Sequence, residues 1–284
     1  MAHPVNSNPP LGAPVTIGAL LRGNELSRLE TSILLAKLLN TTRELVLAHP
    51  ERLISPNDAI QYASLVRSRI AGFPMAYLTG SREFYGIDFK VTSDVLVPRP
   101  ETELLVDAAL SRLGGDATDI LDLGTGSGAV AIAIAANRRG TPVEAVDVSD
   151  SALAIAMANV AAHRLANVDV HRSDWYRDCR HDRYQMIVSN PPYIRDGDPH
   201  LEHGDVRHEP RLALVSGNDG LDAIRTIVAG APSRLVDGGH LLFEHGYDQA
   251  EQCRTLMDDA GFVAVESLCD LAGIERVCVG TIRR

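Results

Sequence analysis

Residues 120–128 read Ile-Leu-Asp-Leu-Gly-Thr-Gly-Ser-Gly, and the run AVAIAIAA over 129–136 follows without a break. Ile120, Leu121 and Leu123 make a short apolar strand, the glycines a turn, and the alanine-rich run the start of a helix. A strand, a glycine turn and a helix in that order bring backbone N–H groups and a helix N-terminus against a ligand, because glycine has no Cβ to obstruct the approach. The spacing G-x-G-x-G over Gly124, Gly126 and Gly128 is not the G-x-G-x-x-G of dinucleotide-binding folds, which argues against a nicotinamide dehydrogenase. No Lys-Ser/Thr pair completes a P-loop. Asp122, just before the turn, is ill placed to receive a diphosphate and suits a cationic part of a ligand instead.

The alternation of strand and helix continues downstream. A second strand, VEAVDV over 143–148, carries Asp147 at its end, where an acidic residue accepts hydrogen bonds from both hydroxyls of a ribose in doubly wound folds. Asp150, after Ser149, opens the next helix. Later strands are expected over 184–189, 239–244, 262–267 and 275–282; the last two have no helix between them and are expected to pair antiparallel at the sheet edge. The run D-L-G-T-G-S-G together with Asp147 resembles class I S-adenosylmethionine-dependent methyltransferases. That resemblance implies an α/β, Rossmann-like domain: a mostly parallel, doubly wound sheet with an antiparallel edge strand.

At the end of the buried strand YQMIVS (184–189) stand Asn190, Pro191, Pro192 and Tyr193. Strand ends are where open α/β sheets bind ligands. The Asn190 amide oxygen and the Pro191 carbonyl can both accept from an –NH₂ group, and proline adds no competing N–H. Tyr193 offers a flat face to a planar amide or base. The set suits methyl transfer to a planar nitrogen, a poor nucleophile whose lone pair must be aimed because it is delocalised. These four residues do not choose between adenine and glutamine, since enzymes of both kinds share them.

Further stretches narrow the choice: P-x-x-Y-L-x-G (74–80), E-F-x-G (83–86), V-L-V-P-R-P-E-T-E (95–103), H-E-P-R-x-A-L (208–214), D-G-L-D (219–222) and F-E-H-G-x-x-Q (243–249). With these, the chain resembles the HemK/PrmC family of release-factor glutamine methyltransferases from residue 74 nearly to its end. The resemblance implies transfer of a methyl group from S-adenosylmethionine, without a metal, to the side-chain amide nitrogen (N5) of the glutamine in the Gly-Gly-Gln loop of class-1 peptide-chain release factors. By motif it assigns Gly124, Thr125, Gly126, Ser127, Gly128, Asp147, Trp175 and Asn190 to the cofactor, with the only tryptophan, Trp175, along the adenine. Asn190, Pro191 and Tyr193 become catalytic, and with Pro192 they hold the substrate glutamine. Arg99 and Glu101, between and after two prolines, are expected walls of the site. Glu244 and His245 end another strand, where a catalytic reading stands beside the more frequent structural one. His200, His203 and His208, with Glu202, Asp205 and Glu209, match neither H-E-x-x-H nor a zinc-finger spacing and read as a polar loop over the site.

Two other readings compete: an adenine-N6 DNA or RNA methyltransferase using the same Asn-Pro-Pro-Tyr, and a non-catalytic S-adenosylmethionine-binding regulator. The charge disfavours the first. Of 284 residues, 27 are Lys or Arg and 37 Asp or Glu, a net of −10. Residues 1–90 carry nine and seven, the remainder eighteen and thirty, so the part bearing Asn190 is at −12 and lacks the positive surface a nucleic acid needs. Intact Asn190 and Tyr193 disfavour the second.

The first ninety residues hold no chemistry. Leu26, Leu29, Ile33, Leu34 and Leu38 recur at helical spacing, and Ser55-Pro56 with Asp58 starts a second helix whose expected inner face is Ile60, Ala63, Val66 and Ile70. The expected layout is a flexible tail over 1–14, a helical substrate-docking domain over 15–80, a β-hairpin linker over 81–92 and a catalytic domain over 93–284. No apolar run nears the ~18 residues of a membrane span, residues 1–14 lack the regions of a signal peptide, and the four cysteines include no C-x-x-C, so the cytoplasm is the expected compartment and no membrane partner is expected.

Overall fold

The computed structural model describes residues 15–23, 25–114 and 119–284; the tail expected over 1–14 lies outside them. The chain divides into two compact units. One runs to Gly80 and includes Gly204–His208; the other comprises Ser81–His203 and Glu209–Arg284.

In the smaller unit β1 (Val15–Thr16) pairs with β2 (Leu53–Ile54) beside helices α1 (Ile17–Arg22), α2 (Arg28–Leu38), α3 (Arg43–Ala48), α4 (Pro56–Ile70) and α5 (Met75–Thr79). Hydroxyls start four of them: Thr16, Ser27, Thr42 and Ser55 each accept a backbone N–H three residues on, and Ser27 with Glu30 forms a reciprocal capping box. The expected inner face of α4 is corrected. Ile60 and Ile70 are 54% and 50% exposed, whereas Tyr62 is buried with Ala59, Leu65 and Val66 packed around the core of Leu34, Leu35 and Val46. The bulk of Tyr62 turns the helix by about one position, roughly 100°. Likewise α2 buries Thr31, Ser32, Leu34 and Leu35 and leaves Leu29 outside, the Ser32 hydroxyl being satisfied by the Leu29 carbonyl at 2.7 Å. Gly204–His208 joins this unit through Arg69, which pairs with both Glu30 and Asp205 at 2.8 Å, and through His208, whose ring lies 4.4 Å from that of Phe73.

The larger unit begins with the hairpin of β3 (Ser81–Phe84) and β4 (Ile87–Lys90). Its two-residue turn sets Tyr85 and Gly86 at φ 54° and 71°, the mirror-image turn that matches strand twist. Glu103 accepts the Tyr85 N–H at 2.9 Å and Asp107 the Tyr85 hydroxyl at 2.6 Å, which holds a non-glycine residue there. The hairpin is no free linker: Phe84 and Phe89 are buried, and Asn159 both donates to and accepts from the Lys90 backbone.

Then come α6 (Glu103–Arg112), β5 (Ile120–Leu123), α7 (Ala129–Asn137), β6 (Val143–Asp147), α8 (Asp150–His163), β7 (Val168–Arg172), β8 (Tyr184–Ser189), α9 (Asp222–Arg234), β9 (Leu235–Glu244), α10 (Ala250–Asp259), β10 (Phe262–Cys269) and β11 (Glu275–Ile282). The sheet order is β10-β11-β9-β8-β5-β6-β7. From β9 to β7 all neighbours are parallel; β11 is antiparallel to both β9 and β10, so the reversed strand sits one place in from the edge. Every residue of β5 is buried, as an apolar central strand covered on both faces must be. Seven consecutive residues of α7, Ala129–Ala135, are buried all round, which marks it as an interior helix. The chain reverses its strand order between β5 and β8, and the crevice at their carboxyl ends is where such sheets take ligands.

Candidate active site

That crevice opens into a cavity of about 560 Å³ within the larger unit. The loop after β5 forms its floor. Gly124 at φ 70° and Gly128 at φ 82° adopt backbone that side chains rarely tolerate. A Cβ on Gly128 would stand 3.0 Å from Ile132 Cδ1 of α7 and 3.4 Å from Ala156 Cβ of α8, so the position also lets α7 pack closely on α8.

Two carboxylates brace this loop. Asp147, at the end of β6, accepts the Gly126 N–H at 2.9 Å on one oxygen and the Ser149 N–H at 2.9 Å on the other. Burial pushes its carboxyl above the ordinary range, while those N–H bonds pull the other way. Asp122 is 1% exposed; its Oδ2 accepts from Thr125 Oγ1 at 2.7 Å and from the Ala131 N–H at 3.2 Å. Its Oδ1 has no hydrogen-bond partner although the residue lines the cavity. Burial pushes this carboxyl up to about 7, against the pull of the Thr125 and Ala131 bonds and with a smaller push from Asp147. An uncompensated carboxylate oxygen on a cavity wall is a seat for positive charge.

The facing wall comes from Trp175, after β7, and from Asn190 and Pro192, after β8. Trp175 holds φ 51°, and the Ser173 hydroxyl donates to its carbonyl at 2.7 Å. Asn190 Nδ2 donates to Thr102 Oγ1 at 3.0 Å, and Thr102 in turn donates to Glu244 Oε2 at 2.6 Å. Glu244 Oε1 accepts the Tyr193 hydroxyl at 3.0 Å. Burial raises the Glu244 carboxyl and holds the Tyr193 phenol far above its ordinary value. The turn is also held by its backbone. Gln249 Nε2 donates to the Tyr193 carbonyl at 3.0 Å, and Gly220 lies so close that a Cβ there would come within 2.3 Å of the same oxygen.

The structure thus brings Gly124, Thr125, Gly126, Ser127, Asp147, Trp175, Asn190 and Pro192 to one cavity. Gly128, Pro191 and Tyr193 adjoin these residues in sequence but are not among those that line it. Of the expected walls, Arg99 pairs with the buried Glu209 at 2.8 Å and acts electrostatically on Tyr193, and Glu101 is exposed; the cavity itself is lined by their neighbours Pro98 and Thr102. The histidine loop does not assemble: His200 turns to Asp198 at 2.8 Å and His208 stacks on Phe73. Among the described residues no group of three or more His, Cys, Asp or Glu could hold a metal ion, and no helix is long and apolar enough to cross a membrane.

Thr102 and Asn159 were not legible as site residues. Asn159, 1% exposed on α8, donates to the Ser127 carbonyl at 2.8 Å and so ties the glycine loop to the hairpin. Its signal is an amide inside an alanine-rich helix, which otherwise has no use for one.

Known proteins bear on this site. Residues 17–80 match the family described as PrmC N-terminal domain, and residues 100–205 match the methyltransferase small domain. A release factor glutamine methyltransferase of Burkholderia pseudomallei is 47% identical over 277 residues, covering 95% of this chain and 97% of that protein. The protein of the same name in Bordetella pertussis is 48% identical over 264 residues, covering 92% and 97%. Among solved structures, a methyltransferase from Pyrococcus furiosus superposes with a TM-score of 0.54 at 15% identity, over 79% of this chain and 99% of that one, a likeness of fold.

Proposed function

The chain belongs to the family of release factor glutamine methyltransferases, and from that premise we propose that it methylates the side-chain amide nitrogen of the Gly-Gly-Gln glutamine in class-1 release factors, with S-adenosylmethionine as donor. The observation that carries the reading is one cavity with an unpartnered buried carboxylate oxygen at Asp122 and an asparagine, Asn190, whose NH₂ end is already engaged.

The residues present fit the donor. Asp122 Oδ1 suits its cationic centre or ammonium, and the remaining lone pairs of Asp147 suit ribose hydroxyls. Trp175 offers a planar face to the adenine, and the loop Gly124–Gly128 allows close backbone approach. S-adenosylmethionine supplies, when bound, a methyl group on a sulfonium sulfur.

The chain's own residues then have an orienting task. Asn190 Oδ1 and the Pro191 carbonyl accept the two N–H bonds of the glutamine amide and fix the plane of its nitrogen, so its lone pair is directed across the cavity. Tyr193, pinned through its hydroxyl to Glu244, supports that plane from behind. Transfer would replace one N–H of the amide by N–CH₃, the methyl leaving the sulfonium sulfur so that S-adenosylhomocysteine and a proton are released. The substrate also carries a location with it, since peptide release takes place in the cytoplasm.

The test is incubation of purified protein and labelled S-adenosylmethionine with a class-1 release factor, followed by mass spectrometry of the Gly-Gly-Gln peptide. A mass gain of one methyl on the glutamine is expected. An unmodified peptide, with label passing to DNA or RNA offered in parallel, would replace this reading by the adenine-N6 one.

A further inference from the structure

An amide group is nearly symmetric in shape, its oxygen and nitrogen differing little in size, so packing does not decide which end of Asn190 meets the substrate. Hydrogen bonds must decide it. Asn190 lies just after β8, and among the described residues its side chain is hydrogen-bonded to Thr102, which is 3% exposed and comes from the turn before α6. Thr102 has a single hydroxyl proton, directed at Glu244 Oε2 at 2.6 Å, and Glu244 is itself 2% exposed at the end of β9. A carboxylate accepts only. With its proton committed there, the Thr102 oxygen is left as an acceptor, and only the NH₂ end of Asn190 can satisfy it.

We infer that Glu244, acting through Thr102, is a positioning residue that sets the polarity of the Asn190 amide, so that Oδ1 and not NH₂ meets the substrate nitrogen. The inference rests on the reading of Asn190 as acceptor for the glutamine amide. The opposite orientation would oppose two N–H donors and leave the nitrogen undirected. The same carboxylate holds Tyr193 by its other oxygen, so one buried side chain registers both ends of the Asn-Pro-Pro-Tyr turn. Burial opposes the ionised form of Glu244; the hydroxyls of Thr102 and Tyr193 that donate to it, and Arg276, favour that form, and Glu101 opposes it.

Three variants test this. Thr102→Val keeps the shape and removes the relay. Glu244→Gln keeps the shape and adds an NH₂ that can donate to Thr102, freeing its hydroxyl proton to turn toward Asn190. Thr102→Ser preserves every hydrogen bond. For methylation of a release factor, kcat is expected to fall roughly 10- to 100-fold in the first two and less than about threefold in the third. S-adenosylmethionine affinity by calorimetry should change by less than about twofold in all three, and the Val and Gln losses should not multiply when combined, because they sever one chain. In ¹⁵N-labelled protein, the Asn190 side-chain NH₂ should exchange slowly in the wild type and quickly in Thr102→Val.

Wild-type protein that leaves the release factor unmodified breaks the underlying reaction. A wild type that transfers methyl while Thr102→Val and Glu244→Gln keep its rate overturns the positioning role alone. So does a Thr102→Ser loss as large as that of Thr102→Val, or a proportional fall in cofactor affinity, since either points to packing.

Discussion

The two ends of the cavity are built by different means. At the glycine loop the groups that shape the site lie within thirty residues and are largely backbone: turn geometry, N–H groups, and Asp147 closing on Gly126 from the next strand. At the Asn-Pro-Pro-Tyr turn the controlling groups are side chains from far away. Thr102 is 88 positions from Asn190, Glu244 is 51 from Tyr193, and Gln249 is 56 from it. On the function proposed above, a donor that is always the same molecule would be met by a self-contained loop, and aiming a delocalised lone pair would need a frame assembled from the whole sheet.

The largest effect that separates the two ends is Asn190→Ala. Turnover on the release factor should fall by ~1,000-fold or more, in the range of losing one aimed polar group in a closed site, while S-adenosylmethionine still binds measurably by calorimetry. Complete loss of binding would mean the two ends are one structure after all.

Asn159→Ala probes the loop from behind, where its one distant side-chain support lies. The change strips partners from the Ser127 carbonyl and from the Lys90 N–H and carbonyl, and should cost about 1–3 kcal/mol of stability. Chemical denaturation measures that cost. Cofactor affinity should move by less than about threefold; a much larger drop would show that the loop depends on distant side chains as the turn does.

The smallest effect is at Asp122. Without cofactor its folded carboxyl stands near 7 against an ordinary 3.8, because burial disfavours the charge. The folded state therefore holds this proton more tightly than the unfolded one. Stability present below pH ~4 is lost as pH rises through 7. Asp122→Asn removes that dependence: its melting temperature should exceed wild type by a few °C at pH 8, with a smaller gap at pH 5.5. Added S-adenosylmethionine should reverse the order at pH 8, since only the carboxylate gains from a cation. A gap that ignores pH would place the ionisation elsewhere.

The same contrast explains what could be read from residues alone. The glycine loop, Asp147 and Asn190–Tyr193 are contiguous, and each residue type states its use. In the stretch 95–103 the charged side chains Arg99 and Glu101 drew attention, yet the neutral Thr102 makes the contact, because a buried site favours a hydroxyl it can satisfy over a charge it must desolvate. Asn159 was silent because its partners are backbone atoms of a hairpin 69 positions away. The face of α4 was misjudged because periodicity weighs Ile60 and Tyr62 alike, while packing around Leu34 and Leu35 selects the larger ring. The doubly wound sheet and the antiparallel pairing of the last two strands were legible from alternation and spacing, but the insertion of β11 between β9 and β10 is a pairing no local signal carries.

The attachment of the β3–β4 hairpin fixes where this molecule can be cut. A fragment beginning at residue 93, where composition and the proline-rich stretch invite a boundary, would strip Phe84 and Phe89 from α8 and leave the Asn159 amide buried without the Lys90 backbone. With the two phenylalanines deleted, about 1.5–3 kcal/mol of burial is lost for each, and each orphaned polar group costs about 1–3 more. A fragment beginning at Ser81 keeps all of these. Twelve residues that line no part of the cavity thus set the expected difference between the two fragments: in thermal unfolding, the one beginning at Ser81 should melt higher than the one beginning at residue 93.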